Sequence, residues 1–428
     1  MGDPTVTQRL AAICARPVGP ADRARAALLV LDWTACATGA LLEPLGRKAV
    51  ARELPSGPCS RLGAAPSTES DAAFHNGLLG NVLEMDDVDA RAVLHAAPTV
   101  IPAALAVAQS EGASATALLD AVVRGYEATI RVGRAVGPAH YRHFHNTATC
   151  GPFGAAMAAC DLLGTDAVAA MGLAGTQSAG LWQTRHEPDS DAKQVHAAHA
   201  ALAGVTSARL AQGGLRGPRT ILEGEQGFFA AMCPDGDPED VLAPHARWLI
   251  HETTIKPYPA CRHAHPAIDA ALAVRDRWDG GEVVVHTYRD AIRFCDRPKP
   301  ATPLEAKFSI QHTVALALLR GVPRLQDFTD AAIADAEVAE ARARVRVEEG
   351  PAFTRDYPAH YGARIGETVV RDAYGDPANP MDRDAVVQKA GALMRWGGMQ
   401  AEGAQTLTDA ALGLARSGDL QSYVGAWP

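Results

Sequence analysis

The chain has 428 residues, of which 47% are hydrophobic and 21% charged, a balance that can bury the cores of two or three domains. Its 40 basic against 49 acidic side chains give a net charge of −9 with no basic block, which argues against nucleic acid as a partner. Aromatic residues make up only 5% while alanine is abundant, so a core of closely approaching helices is expected.

The N-terminus, Met1-Gly2-Asp3-Pro4, has no basic region leading into an apolar run, so no secretory signal is expected. Gly19-Pro20 precedes a helix beginning near Asp22. Pro102 is read as lying in the first turn of a helix continuing through Ala108. Ser114 is an N-cap candidate for a helix through Glu127. Segments 153–163 and 194–212 repeat the Ala-rich helical pattern. The apolar stretches are broken by Arg, Asp, Gly or Pro, so no membrane partner is expected. Gly213-Gly214 reads as a helix-ending turn, because the segment lacks phosphate-loop spacing.

The pattern changes after residue 280. Residues 282–288 are β-branched and read as a strand. Residues 342–348 alternate and suggest a half-exposed strand, and 361–370 give another. Helical runs are expected at 267–277 and 309–320. Asn379-Pro380-Met381-Asp382 signals a further helix start, after which the chain is expected to be helical to Leu420. Eight scattered cysteines form no C-x-x-C pair and are expected to be reduced thiols in a cytoplasmic protein.

Four polar clusters stand out. Residues 84–89 carry Glu84, Asp86, Asp87 and Asp89, with His75 before and His95 after. Repelling carboxylates can raise one another's pKa and serve as acid or base, although spacing alone favours a solvated acidic turn. His140, His143 and His145 invite a metal. No cysteine or carboxylate sits at a usual ligand offset, so no metal is expected, and an imidazole orienting a substrate before a helix start is preferred. Lys193 falls near the start of the 194–212 helix, an unfavourable place for a cation unless an anion joins it. Finally, Lys256-Pro257-Tyr258-Pro259-Ala260-Cys261-Arg262-His263-Ala264-His265 places a cation, a phenol and imidazoles on a segment whose prolines forbid a regular helix. A solvated loop lysine is the plain alternative.

These clusters, in this order, resemble the MmgE/PrpD family. The resemblance rests on His75-Asn76-Gly77, Asp86-Asp87, Pro102-Ala103-Ala104-Leu105-Ala106, Gly125-Tyr126-Glu127, Phe144-His145, Gly154-Ala155-Ala156, Lys193, Ile221-Leu222-Glu223-Gly224, Lys256-Pro257-Tyr258-Pro259, Glu305-Ala306-Lys307-Phe308-Ser309 and Asn379-Pro380-Met381. It implies a mainly α fold, with a large all-helical domain (1–255 and 391–428) and a smaller α+β lid domain (256–390). It also implies a homodimer, a pocket between the domains and no cofactor. The implied activity is that of a lyase on a small anionic carboxylate, foremost a dehydratase, with decarboxylation or epimerisation as alternatives. A carboxylate-binding homologue without catalysis is the reading from another class.

By the same resemblance, Lys193, Lys256, His145, His95 and Asp86 are the catalytic candidates. Glu84, Asp87, Tyr258, His265 and His312 are the substrate-binding ones. The chain departs from the common family pattern in three places. Asp87-Val88-Asp89 replaces Asp-Asp-Thr-His, His95-Ala96-Ala97 replaces His-Pro-Gly, and His312 stands where tyrosine is common. Losing a hydroxyl while gaining a carboxylate and an imidazole suggests a changed substrate or reaction.

Overall fold

A computed structural model of the chain describes residues 3–187, 190–416 and 418–428. The chain forms two compact units, Met1–Thr253 with Asp382–Pro428, and Thr254–Met381.

The first unit is built of helices with one small hairpin, β1 (Cys59–Arg61) against β2 (Ala64–Ser67). The Asn146–Leu163 helix packs against both the Ala115–Ala135 and the Ala192–Gln212 helices. Small residues set the spacing. A Cβ on Gly125 would come within 2.8 Å of the Gly154 carbonyl oxygen, and one on Gly204 within 2.3 Å of the Ala155 Cβ. Larger side chains would force these helices apart. Ser114 caps Ala115–Ala135 as its position suggests, accepting from Ala117 N at 3.2 Å. Pro102 does not open its helix: it lies inside Ala97–Glu111, which starts five residues earlier with Pro98 in its first turn. A buried apolar face from Ala97 to Ala108 keeps the helix intact despite the missing donor.

Pro20–Leu42 is long and apolar enough to cross a membrane, which the reading of interrupted apolar runs missed. Yet 83% of its most apolar window is buried inside the protein. Here it is a core helix, with Trp33 fully enclosed. The Arg383–Trp396 helix, started by an Asp382 cap, packs on it, and Ala401–Gly413 and Leu420–Gly425 follow as separate helices where one helical run to Leu420 was expected.

The second unit carries a four-stranded sheet in the order β4-β3-β5-β6. Strand β3 (Val283–Thr287) runs parallel to β4 (Val345–Glu349) and antiparallel to β5 (Ala363–Ile365), which pairs with β6 (Thr368–Val370). Two expectations are corrected. Residues 342–344 end a helix and turn rather than begin β4, because Ala336–Ala343 is capped by Asp335 and runs its full length first. Residues 361–370 form a hairpin instead of one strand, because Gly366 at φ 56° reverses the chain. The His265–Val274 and Ile310–Arg320 helices pack together. The structure thus has the mainly α, two-part architecture that the resemblance implies.

Candidate active site

The acidic residues 84–89 do not form a solvated turn. Glu84 is 3% exposed, and Asp86, Asp87 and Asp89 are fully enclosed. Buried carboxylates must be met by donors or cations, and here each is met differently. Asp89 is gripped by Arg134 at 2.6 and 3.1 Å, and Arg134 also reaches Glu252 at 2.9 Å. The carboxylate standing where the family often has histidine is therefore a structural ion pair. Asp87 accepts from Ala97 N at 3.0 Å and so tethers the start of the Ala97–Glu111 helix. Burial, with Asp86 beside it, pushes the Asp87 carboxyl up to about 7.

Asp86 accepts from Asn81 Nδ2 at 2.7 Å and lies 3.0 Å from His95 Nδ1. The same Nδ1 sits 2.7 Å from the Asp87 carbonyl oxygen. Both neighbours of Nδ1 are acceptors, so in the neutral form of the ring the proton sits on Nδ1 and Nε2 presents a lone pair. Glu84 pairs with the Lys193 ammonium, which also donates to Asn81 Oδ1 at 3.0 Å. Lys193 is the second residue of the Ala192–Gln212 helix. The anion its position calls for is therefore supplied by Glu84 of the same chain. Asn81 ties the two halves together, its amide nitrogen on Asp86 and its oxygen on Lys193.

The backbone of this loop is strained. Glu84 has φ 60° and Val93 φ 51°, and these are the non-glycine residues with positive φ among those described. Each such conformation costs on the order of 1–2 kcal/mol, most for a β-branched residue. Three consecutive residues hold the far end. His145 precedes the Asn146–Leu163 helix, Asn146 Nδ2 donates to the Ala92 carbonyl at 2.7 Å, and Thr147 Oγ1 accepts from His95 N at 3.0 Å.

The His145 ring lies 4.4 Å from Trp182, 5.5 Å from His196 and 6.5 Å from His95 by ring centroids. Its Nδ1 is 3.3 Å from His196 Nδ1. Burial first, then Lys193, His196 and His95, hold His145 well below the usual histidine range. Burial and Lys193 hold His196 at about 4. Both rings are thus neutral near pH 7, and one donates to the other. Arg185 stacks 3.5 Å over the opposite partner of this group, Trp182. Sequence reasoning assigned no role to Asn81, Trp182 or His196. The spacing of Lys193 and His196, three residues apart on a helix, is the signal that could have found the last.

The α+β unit holds the other candidates. Lys256 is 1% exposed and lies on an irregular segment, as its prolines require. Thr254 Oγ1 donates to Asp376 Oδ1 at 2.8 Å, and Arg262 is ion-paired to Oδ2 of the same carboxylate. Tyr258 donates to Asp269 at 2.6 Å, and Asp269 also accepts from Tyr374 N at 2.6 Å. Burial and Asp269 raise the Tyr258 phenol well above its usual range. The His265 ring lies 5.2 Å from Tyr258, with Nε2 3.1 Å from the Ala260 carbonyl. His312 is engaged through both ring nitrogens, with the Asp327 carbonyl at 3.1 Å and Arg342 at 3.3 Å. His140 bridges the Met232 carbonyl and Thr149. Among the described residues no group of His, Cys, Asp and Glu is arranged to hold a metal.

A mainly helical scaffold carrying a buried cluster of lysine, imidazoles and carboxylates defines a protein equipped for proton transfer next to an anion. Residues 10–240 match the MmgE/PrpD N-terminal domain and residues 258–414 the MmgE/PrpD C-terminal domain. The chain belongs to the MmgE/PrpD family. It is 32% identical over 276 residues to the cis-aconitate decarboxylase-like protein oryM of Aspergillus oryzae, covering 59% of this chain and 57% of that one. It is 29% identical over 199 residues to 2-methylcitrate dehydratase of Cupriavidus necator, covering 44% and 41%. With human cis-aconitate decarboxylase it shares 27% over 299 residues, covering 65% and 61%. The chain spans about half the length of the curated relatives it matches.

Proposed function

We propose that the protein is a lyase that eliminates water from a small carboxylic acid by acid/base chemistry. The supporting observation is the His95 environment, which fixes the proton on Nδ1 and leaves Nε2 as a base. In this reading Nε2 takes a proton from the carbon next to a substrate carboxylate. Negative charge then grows on that carbon and carboxylate, where the Lys193 ammonium opposes it. Asp86 stabilises the imidazolium that forms on His95. The departing hydroxyl leaves as water by receiving the proton that His95 has taken, passed on through His145, whose ring lies 6.5 Å from that of His95 and is hydrogen-bonded to His196, so that both rings return to their starting state. Glu84 and Asn81 hold Lys193 in place. Asp87 serves the substrate indirectly, by fixing the helix start that follows His95.

Lys256 is proposed to bind a carboxylate, on the strength of the family motif it occupies, with Tyr258 and His265 orienting it. No step needs a cofactor, since each proton transfer has a side chain to perform it. A homodimer follows from the same family pattern. A cytoplasmic location is supported by the eight free cysteines.

Decarboxylation is the second reading. It is favoured by one observation: relatives from Aspergillus terreus, human and mouse that align over 276 to 299 residues bear the name cis-aconitate decarboxylase. The deciding experiment is incubation with hydroxy and unsaturated polycarboxylic acids in deuterated water, followed by NMR. An alkene formed with loss of hydroxyl supports dehydration. Release of carbon dioxide with deuterium entering at the vacated carbon supports decarboxylation. No change in any acid, with tight binding retained, would reject both in favour of a binding protein.

A further inference from the structure

Outside the acid/base cluster, the helical unit buries another lysine. Lys389, on the Arg383–Trp396 helix, is 8% exposed, and Asp32, on Pro20–Gly39, is 1% exposed. Their Nζ and Oδ1 atoms are 2.6 Å apart. The same ammonium donates to the Met85 carbonyl at 2.7 Å. A buried ion pair is a poor source of stability, because desolvation offsets the attraction, and an apolar pair fills such a site at least as well. An apolar pair cannot hold a carbonyl. Met85 stands between Glu84, which is left-handed and bound to Lys193, and Asp86, which fixes His95. A charged donor on that one carbonyl opposes the relaxation that strain at Glu84 would otherwise drive.

We propose that Lys389 is a positioning residue: by pinning the Met85 carbonyl it sets where the Glu84 and Asp86 carboxylates point, without touching substrate. The proposal rests on the reading of Lys193 and His95 given above. It draws the C-terminal segment, 304 positions away in sequence, into the working of the acidic loop.

The test is the double variant Asp32→Leu/Lys389→Met, which keeps the core filled and removes the clamp. Its melting temperature is expected to stay within about 5 °C of the parent, since apolar replacement of a buried pair is close to neutral. Its kcat is expected to fall at least about tenfold with KM changed less than about threefold, the split expected when transition-state alignment alone is lost. Hydrogen exchange should quicken at the Ala92 and Ala97 amides, which are bound to Asp89 and Asp87, and not across the rest of the helical unit. Unchanged kcat, or exchange that quickens uniformly, would overturn the proposal. Lys389→Arg, which keeps a charged donor, should retain most of the activity. Should the double variant not fold, Lys389→Gln replaces it, with the same local exchange expected and the same uniform exchange contradicting it. The exchange measurement needs no substrate, so it decides the matter even if the lyase reading fails.

Discussion

In the helical unit, residues 84–95 contain neither proline nor glycine, and two of them are left-handed. That loop is held by charge: Lys193 on Glu84, Asn81 on Asp86, Arg134 on Asp89 and Lys389 on the Met85 carbonyl. In the α+β unit, residues 254–262 carry Pro257 and Pro259, which restrict the backbone before any contact forms. Asp376 joins Thr254 to Arg262, Asp269 joins Tyr258 to the Tyr374 amide, and backbone bonds run from Ile255 N to the Gly375 carbonyl and from Cys261 N to the Lys307 carbonyl. A chain without built-in rigidity is held in an unfavourable backbone conformation by side-chain charge, whereas one stiffened by proline has much of its backbone restricted before any contact forms. The first arrangement also gathers titratable groups, which acid/base chemistry requires.

The sharpest way to break this contrast is to remove the reacting groups of the network. His95→Gln should lower kcat by about 10²–10⁴, the range for losing a general base. Lys193→Met should lower kcat/KM by about 10²–10³, as for losing an electrostatic stabiliser. Activity is read in a steady-state assay; by circular dichroism His95→Gln should leave the fold intact, whereas Lys193→Met, which strips the buried Glu84 of its cation, should also lower the melting temperature.

The next effect is on stability. Asp376→Ala leaves the buried Arg262 charge uncompensated and should cost about 3–5 kcal/mol in urea unfolding. By contrast Arg346→Ala, which breaks the Glu282 pair whose side chains are 60% and 57% exposed, should change stability by less than about 1 kcal/mol.

The third effect is on acid sensitivity. Burial, then Arg342, holds His312 at about 4 from an ordinary 6.5. The unfolded state therefore binds its proton more readily, so stability present above pH 6.5 is lost as pH falls towards 4. His312→Gln should remove up to about 3 kcal/mol of that loss, seen as a flatter dependence of melting temperature on pH. An unchanged slope would mean that the acid response belongs to the buried histidines of the helical unit, among them His75, which burial also holds at about 4.

Much of the architecture was legible because its signals are local. Ser114 and Asp382 cap where their positions suggest, and β3 follows its β-branched run. Pro102 was misplaced because tertiary burial outweighed a local rule. The Gly366 turn went unread because two three-residue strands look like one. Within the site, His145 before its helix and Lys193 at its helix start were readable from position. The burial of Glu84, Asp86, Asp87 and Asp89 was not, since four adjacent carboxylates look solvated until their distant partners are known. Arg134 and Lys389 are such partners, and nothing near them in sequence points to the acidic loop.

The account turns on one proton. Nitrogen-15 NMR of the protein labelled at its histidine rings, with His95 assigned through His95→Gln, reads that proton directly in the neutral ring. The account predicts hydrogen on Nδ1 and a bare Nε2. A neutral His95 with hydrogen on Nε2 would contradict it, because the base assigned here would then have no lone pair to offer.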